Sequence, residues 1–180
     1  MDQVQVLLRS GEQLIIRHAQ QSDAPMINAY LRQVADETTF LSFDSSEWTK
    51  SDEEEASSIQ DYIDTENMVY YIAMIDDAIV AHINASGSHK KRLCHNVVFG
   101  LSVVEMHWHK GIATILINEL IGWSRSNPIV KKISLMVSDQ NKRAIRLYEK
   151  FGFEHEGRLR NDNYVNGAYY DGLCMGMWLG

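Results

Sequence analysis

Two prolines and two cysteines in 180 residues are the first scarcities of this chain. Cys94 and Cys174 stand far apart and outside any CxxC, so neither a disulfide framework nor a cysteine-based zinc site is expected. No stretch approaches the ~18 apolar residues that span a bilayer, and the start, MDQVQVLLRSGEQLIIRHAQ, has no apolar export segment. The expected location is therefore the cytoplasm. Positive charge is in the minority: 17 basic against 24 acidic side chains give a formal charge of −7. That balance makes a poor counterion for a phosphate backbone, which argues against nucleic acid as a partner, and it favours the approach of a cationic amine. There is no internal repeat, no low-complexity tract and no G-x-x-x-x-G-K-[ST] loop, and the G-x-G-x-x-G fingerprint is incomplete. What remains is ordinary folded-protein composition, 45% hydrophobic and 23% charged, suited to one domain over residues 1–180.

Periodicity supplies the elements. EQLIIRHA reads as a strand, with Leu14 and Ile16 alternating against polar neighbours. In SDAPMINAYLRQVADET, Ser22 or Asp23 caps a helix, Pro25 fits its first turn, and Met26, Tyr30 and Val34 form its apolar stripe. TFLSFDSSEW is irregular and aromatic and is expected to line or cover a cleft. Ser51 and Glu54 have capping-box spacing, and the acids at 52–55 suit the positive end of a helix dipole better than they suit a metal. MVYYIAMID and AIVAHINASGS form a hairpin across Asp76 and Asp77, and HNVVFGLSVV follows as a further strand. A helix at 111–125 carries Ile112, Leu116, Leu120 and Trp123 on one face and stops before Pro128. KKISLMVS is an interior strand. KRAIRLYEKF is a helix with Ala144, Leu147, Tyr148 and Phe151 inward, closed by Gly152. FEHEGRLR and AYYDGLCMGMWL end the chain as two strands joined across NDNYVNG. The order β α α β β β α β α β β describes an α/β mixed sheet of seven strands with helices on its faces.

Two stretches carry chemistry. In HWHKGIAT a strand runs out and a helix starts, so several N–H groups near Gly111 have no intrahelical partner. With the helix dipole they suit an anion such as a phosphate, and the small Gly111 and Ala113 let it approach. Lys110 adds charge and Thr114 a hydroxyl. A plain strand-to-helix turn is equally open on this geometry. His107 and His109 have no third ligand beside them, so no metal is expected. In VSDQNKRAIRLYEKFGFEHEG, Asn141 offers an amide at a helix start, and Tyr148 lies two turns down the same face. Both can address one extended ligand, with Tyr148 within reach as a proton donor. Taken alone, Tyr148 reads better as a core tyrosine of an amphipathic helix.

HNVVFGLSVV, HWHKGIATILINELIGWSRSN and KKISLMVSDQNKRAIRLYEKFGFEHEGRLR together resemble the GCN5-related N-acetyltransferase (GNAT) family, over about residues 95 to 157. The nearest branch is that of ribosomal-protein and small-molecule amine acetyltransferases. The resemblance implies the GNAT fold, a mostly antiparallel seven-stranded sheet with one splayed parallel pair, and acetyl-CoA as co-substrate without a metal. It places the pyrophosphate on the amides of Trp108, His109, Lys110, Gly111, Ile112, Ala113 and Thr114. The backbone of Leu101, Ser102 and Val103 would pair with the pantetheine arm like an added strand. Asn141 would hydrogen-bond that arm, Ala144 and Leu147 would pack on it, and Tyr148 would protonate the departing thiolate. Two positions depart from the family pattern. Trp108 stands where Gln or Arg is usual, and Val98 stands where many relatives carry a glutamate base. For the base, His95, Glu37, Asp36 or a water chain remain as candidates.

The expected activity is acetyl transfer to a primary amine, either a small molecule or a protein N-terminus. A non-catalytic acyl-CoA-binding module of the same fold is the alternative. On the acceptor side, Glu37, Phe40 and Tyr170 are the candidate contacts. Family members are often dimers, so a homodimer is compatible; neither nucleic acid nor membrane is expected as a partner.

Overall fold

A computed structural model describes residues 3–180. Eight strands form one sheet in the order β1-β2-β3-β4-β5-β6-β8-β7. They are β1 (Val4–Leu7), β2 (Gln13–His18), β3 (Met68–Ile75), β4 (Ala78–Gly87), β5 (Asn96–Val103), β6 (Lys132–Ser138), β7 (Glu154–Val165) and β8 (Ala168–Trp178). The helices are α1 (Ala24–Glu37), α2 (Asp52–Asp64), α3 (Ile112–Ser126) and α4 (Lys142–Phe151). The seven-strand expectation is corrected to eight. β1 was not anticipated because four residues at a sheet edge, alternately half-buried and exposed, carry too little pattern to read.

Alternation along the strands divides the apolar side chains between two cores. Tyr71, Ala73, Ile83, Val97, Ile133 and Met175 point to the face covered by α3 and α4. Tyr70, Ile72 and Met74 point to the face covered by α1 and α2. In α1 the buried stripe is Ile27, Tyr30, Leu31 and Val34, whereas Met26 is 39% exposed. The expected stripe was therefore shifted by one residue at its start. Asp23 does not cap α1 with its side chain. Its carboxylate instead accepts from both terminal nitrogens of Arg17 and from the Gln20 amide. The capping box of Ser51 and Glu54 forms at the start of α2 as its spacing predicts.

The β3–β4 hairpin turns on Asp76 and Asp77, both in the left-handed region. The last hairpin is longer than expected. β7 runs through NDNYV with bulged register, and the reversal falls on Asn166 and Gly167, at φ 51° and 83°. An Asn-Gly pair is the favoured two-residue hairpin turn, so the sequence did contain this signal.

Only β5 and β6 run parallel, and only for three register pairs: Asn96 with Lys132, Val97 with Ile133 and Val98 with Ser134. Ser134 Oγ donates to Asn96 Oδ1 at 2.8 Å across this short join. Beyond it β5 stays on β4 as far as Val103 and β6 stays on β8 as far as Ser138. The two strands therefore diverge and open a V-shaped cleft in mid-sheet.

Candidate active site

The cleft exposes one backbone edge of β5. The Val104 amide donates to Val80 O on β4. Strand alternation then turns the N–H and C=O of Ser102 toward β4, and those of Phe99, Leu101 and Val103 toward β6 across the gap. Past Val98 no β6 residue pairs with them. An extended ligand carrying amide groups can complete this edge. Leu101 and Val103, expected as its contacts, lie on it. Ser102 faces the other way, and its Oγ is 2.8 Å from the Tyr30 hydroxyl.

At the end of the cleft the chain curls over the start of α3. His109 and Gly111 both have positive φ, 63° and 85°. Gly111 is the N-cap of α3 and contributes no side-chain cap; the first helical bond runs from Ile115 N to Gly111 O. The amides of Ile112, Ala113 and Thr114 consequently have no intrahelical acceptor and point out of the helix end. A Cβ on Gly111 would meet nothing within 4 Å, so its left-handed backbone and not crowding is what calls for glycine there, at a helix start suited to an anion. Lys110 does not turn toward that helix start. Its ammonium bonds both carboxylate oxygens of Glu12 at 2.8 Å and lies 3.2 Å from His107 Nδ1. Lys110 thus ties the loop to the β1–β2 turn, and the expected positive side chain over the anion is absorbed in an ion pair.

Trp108 has a defined role. Its indole N–H donates to Val103 O at 2.7 Å and closes the end of the exposed β5 edge. The Arg143 guanidinium sits 5.3 Å from the indole ring centre. Arg143 lies in the first turn of α4, so this cation–π contact spans the cleft mouth from loop to helix. Sequence reading missed Arg143, since nothing local in KRAIRLY separates it from other exposed basic residues.

On the far wall, Asn141 is the N-cap of α4, and its Oδ1 accepts from the Ala144 amide at 3.1 Å. That leaves the Nδ2 donor for a ligand. Ala144 and Leu147 are partly buried at the rim of the core. Tyr148 is 8% exposed, and its ring meets Phe99 and Phe153 edge-on or tilted, at 5.6 and 5.9 Å. Burial pushes its phenol up to about 12. Tyr148 is therefore protonated at neutral pH and placed where β5 and β6 part.

The opposite face of the sheet holds a cavity of about 290 Å³. It runs from Glu55, Ser58 and Tyr62 on α2, past Tyr70, His82 and Asn84, to Gly100 and Leu101 of β5. Leu41, Phe43 and Trp48, from the irregular stretch after α1, close it from above. His82 Nδ1 is 3.2 Å from the Tyr70 hydroxyl, and burial brings the imidazole down to about 4, so the ring is neutral. The polar wall went unread, although the signals existed. Glu55 precedes Ile59 by one turn, on the buried side of α2, and His82 alternates with Val80 on a buried strand.

The expected acceptor contacts lie elsewhere. Glu37 is committed to Gln33 and to the Glu105 amide, which it accepts at 2.7 Å. Phe40 is 46% exposed, and Tyr170 sits on β8 opposite Asn163; neither lines the cavity. Among the base candidates, His95 packs on Trp178 before β5 begins, Asp36 is exposed, and Val98 is 52% exposed at the join. Cys94 and Cys174 are free thiols. Among the described residues no group of three His, Cys, Asp or Glu could hold a metal, and no helix is long and apolar enough to cross a membrane.

Comparison with known proteins places this geometry. The chain is 28% identical over 170 residues to the SPbeta prophage-derived uncharacterized N-acetyltransferase YokL of Bacillus subtilis, covering 93% of this chain and 91% of that one. It is 36% identical over 104 residues to the L-amino acid N-acetyltransferase AaaT of Escherichia coli, covering 55% of this chain and 64% of the relative. The crystal structure of a GNAT-family acetyltransferase from Streptococcus pneumoniae superposes with a TM-score of 0.90 at 28% identity, over 93% of this chain and 99% of that one. Two further structures of the same fold, at 17% and 19% identity, were solved with acetyl-CoA. The acetyltransferase (GNAT) family model matches residues 28–153. With the splayed strands, the anion-ready helix start and that match in hand, the chain belongs to the GNAT family of acetyl-CoA-dependent acetyltransferases.

Proposed function

We propose that the protein transfers the acetyl group of acetyl-CoA to a primary amine, of a small molecule or a protein N-terminus, by direct attack within a ternary complex in the cytoplasm. One observation carries this reading: the cavity on the α1–α2 face reaches β5 at Gly100 and Leu101, and Leu101 also lies on the unpaired backbone edge that begins past Val98. An amine in the cavity and a thioester in the cleft therefore meet across one strand. AaaT, a relative, is named for L-amino acids, and others for spermidine, which supports a small amine.

The residues divide the task. The amides of His109 through Thr114 bind the pyrophosphate, the expected Trp108 amide being already donated to Glu105 O, while Leu101, Val103 and Asn141 hold the pantetheine arm against Ala144 and Leu147. The Val103 N–H stabilises the oxyanion of the tetrahedral intermediate, a kind of donor worth ~3 kcal/mol. Tyr148 gives its proton to the leaving sulfur. His82 orients the amine as a hydrogen-bond acceptor and does not strip it. Burial holds its imidazole well below the ordinary histidine value, so it is far too weak a base to take the proton of an alkylammonium. The amine proton leaves through water instead, in keeping with Val98 where a carboxylate would otherwise serve.

Val98 also motivates the second reading, an acyl-CoA-binding module without catalysis. Thermal shift with acetyl-CoA and with CoA, followed by thiol release across a panel of amines, decides between them. Stabilisation with thiol release supports the enzyme, and stabilisation without release on any amine supports the module. No stabilisation removes both.

A further inference from the structure

The end of the cavity remote from β5 already contains an ammonium group. Lys50 Nζ lies 3.1 Å from Glu55 Oε2, 2.8 Å from Ser58 Oγ and 5.4 Å from the Trp48 ring centre. Ser58 spends its own proton on Glu54 O, so its oxygen faces Lys50 as an acceptor. A carboxylate, a hydroxyl lone pair and an indole face are the groups that bind an alkylammonium.

The two charged partners are held very differently. Glu55 is 2% exposed, whereas the Lys50 side chain keeps 42% of its surface in water. The carboxylate is built into α2, while the lysine reaches in from the irregular segment between α1 and α2. It can swing out on its own flexible stem without breaking a ladder or a helix.

Charge decides what replaces it. Residues 36–55 carry eight carboxylates, Asp36, Glu37, Asp44, Glu47 and the run from Asp52 to Glu55, against Lys50 as their one basic side chain, while Arg32 reaches the Trp48 carbonyl from α1. An anionic substituent would have to sit beside Glu55 and within that field. A cation is drawn in by the same field and finds the cradle formed.

We propose that Glu55, Ser58 and Trp48 form a cradle for a second, distal cationic group of the acceptor, and that Lys50 occupies it as an internal stand-in until that group displaces it. The acceptor class is a diamine or larger polycation. One ammonium is held at Glu55, and the reacting amine is presented past Tyr70 and His82 to Leu101. The word acceptor rests on the acetyl-transfer reading above; the cradle is a binding site whether or not transfer occurs.

The test is calorimetric titration of cadaverine, pentylamine and aminohexanoate into the CoA-bound protein, as wild type, Lys50→Met and Glu55→Gln. Cadaverine is expected to bind wild type about tenfold tighter than pentylamine, to gain a further fivefold or so in Lys50→Met, and to lose about tenfold in Glu55→Gln. Pentylamine affinity should stay within about threefold in all three proteins. Lys50→Met uncovers a buried carboxylate, so cadaverine should also raise its melting temperature more than that of wild type. The proposal is overturned if Lys50→Met leaves cadaverine binding unchanged or weaker. It is equally overturned if pentylamine binds as well as cadaverine, or if aminohexanoate binds tightest and loses that affinity in Lys50→Met. Thiol release from acetyl-CoA is followed separately. The expected binding pattern without release sinks the transfer reading and leaves the cradle; release with pentylamine and cadaverine alike sinks the cradle and leaves the transfer.

Discussion

The indole N–H of Trp108 holds the carbonyl oxygen of Val103, five residues upstream, at 2.7 Å. Val103 is the last residue of β5, and its carbonyl lies on the edge that faces the cleft. The tryptophan thus fixes the end of the strand against which the pantetheine arm is proposed to pair, while its ring carries Arg143 on the other side. Trp108→Phe keeps a ring under Arg143 and removes only the donor. Loss of one such bond is worth about 1 kcal/mol, so the acetyl-CoA KM should rise about fivefold with kcat within about twofold. A fall in kcat with unchanged KM would instead place Trp108 in the chemical step.

Tyr148→Phe separates binding from chemistry. The phenylalanine keeps the packing on Phe99 and Phe153 and lacks the proton. Turnover should drop about a hundredfold, while the melting shift produced by acetyl-CoA stays as in wild type. Because burial lifts the phenol to about 12, the donor form persists well into the alkaline range. The wild-type kcat should therefore show no falling limb between pH 8 and about 10. Such a limb would mean that a group of lower pKa supplies the proton.

The Arg17–Asp23 pair predicts an acid-sensitive entry to α1. Burial pushes the Asp23 carboxyl up, but hydrogen bonds from Arg17 and the Gln20 amide, together with the Arg17 charge, outweigh it and hold the group below its ordinary value. The unfolded chain therefore binds this proton at higher pH than the folded one. The stabilisation is complete above the unfolded value near ~4 and is lost as pH falls through the lower folded value. Asp23→Asn should cost about 2–3 kcal/mol at pH 7 and flatten the decline of stability below about pH 4. Urea midpoints at pH 7, 4 and 3 measure both effects.

Tyr71 offers the opposite outcome. It is fully buried on β3, and its hydroxyl has no partner among the described residues. A buried donor without an acceptor costs about 1–3 kcal/mol, and Tyr71→Phe removes that cost while keeping the ring beside His18. The variant should be more stable by about 1 kcal/mol, read as a higher denaturant midpoint at unchanged slope. A loss of stability would show that the hydroxyl is satisfied in solution.

The residues proposed for the cofactor could be named from sequence because each half of them lies in one contiguous run. Gly111 ends a strand and opens a helix within a few residues, and Asn141 and Tyr148 are separated by two turns of a single helix. The cavity proposed for the acceptor was not readable because α2, β3, β4, β5 and a loop each supply part of its wall. The run of acids at 52–55 has a sufficient local explanation in the helix dipole, which conceals that Glu55 alone among them turns inward. Glu37 failed as a candidate for the reverse reason: its carboxylate is consumed by an amide distant in sequence, Glu105, which no local pattern announces. The eighth strand was lost at an edge, where four residues of weak alternation decide nothing by themselves.

The three-residue join between β5 and β6 also fixes what governs the width of the cleft. Past Val98 and Ser134 no ladder bond sets the distance between the strands. Phe99, the first β5 residue beyond the join, packs there with Tyr148 and Phe153. Where the ladder stops, packed aromatic volume takes over from hydrogen bonds. Exchange of one ring is expected to alter the fit there while every strand keeps its register.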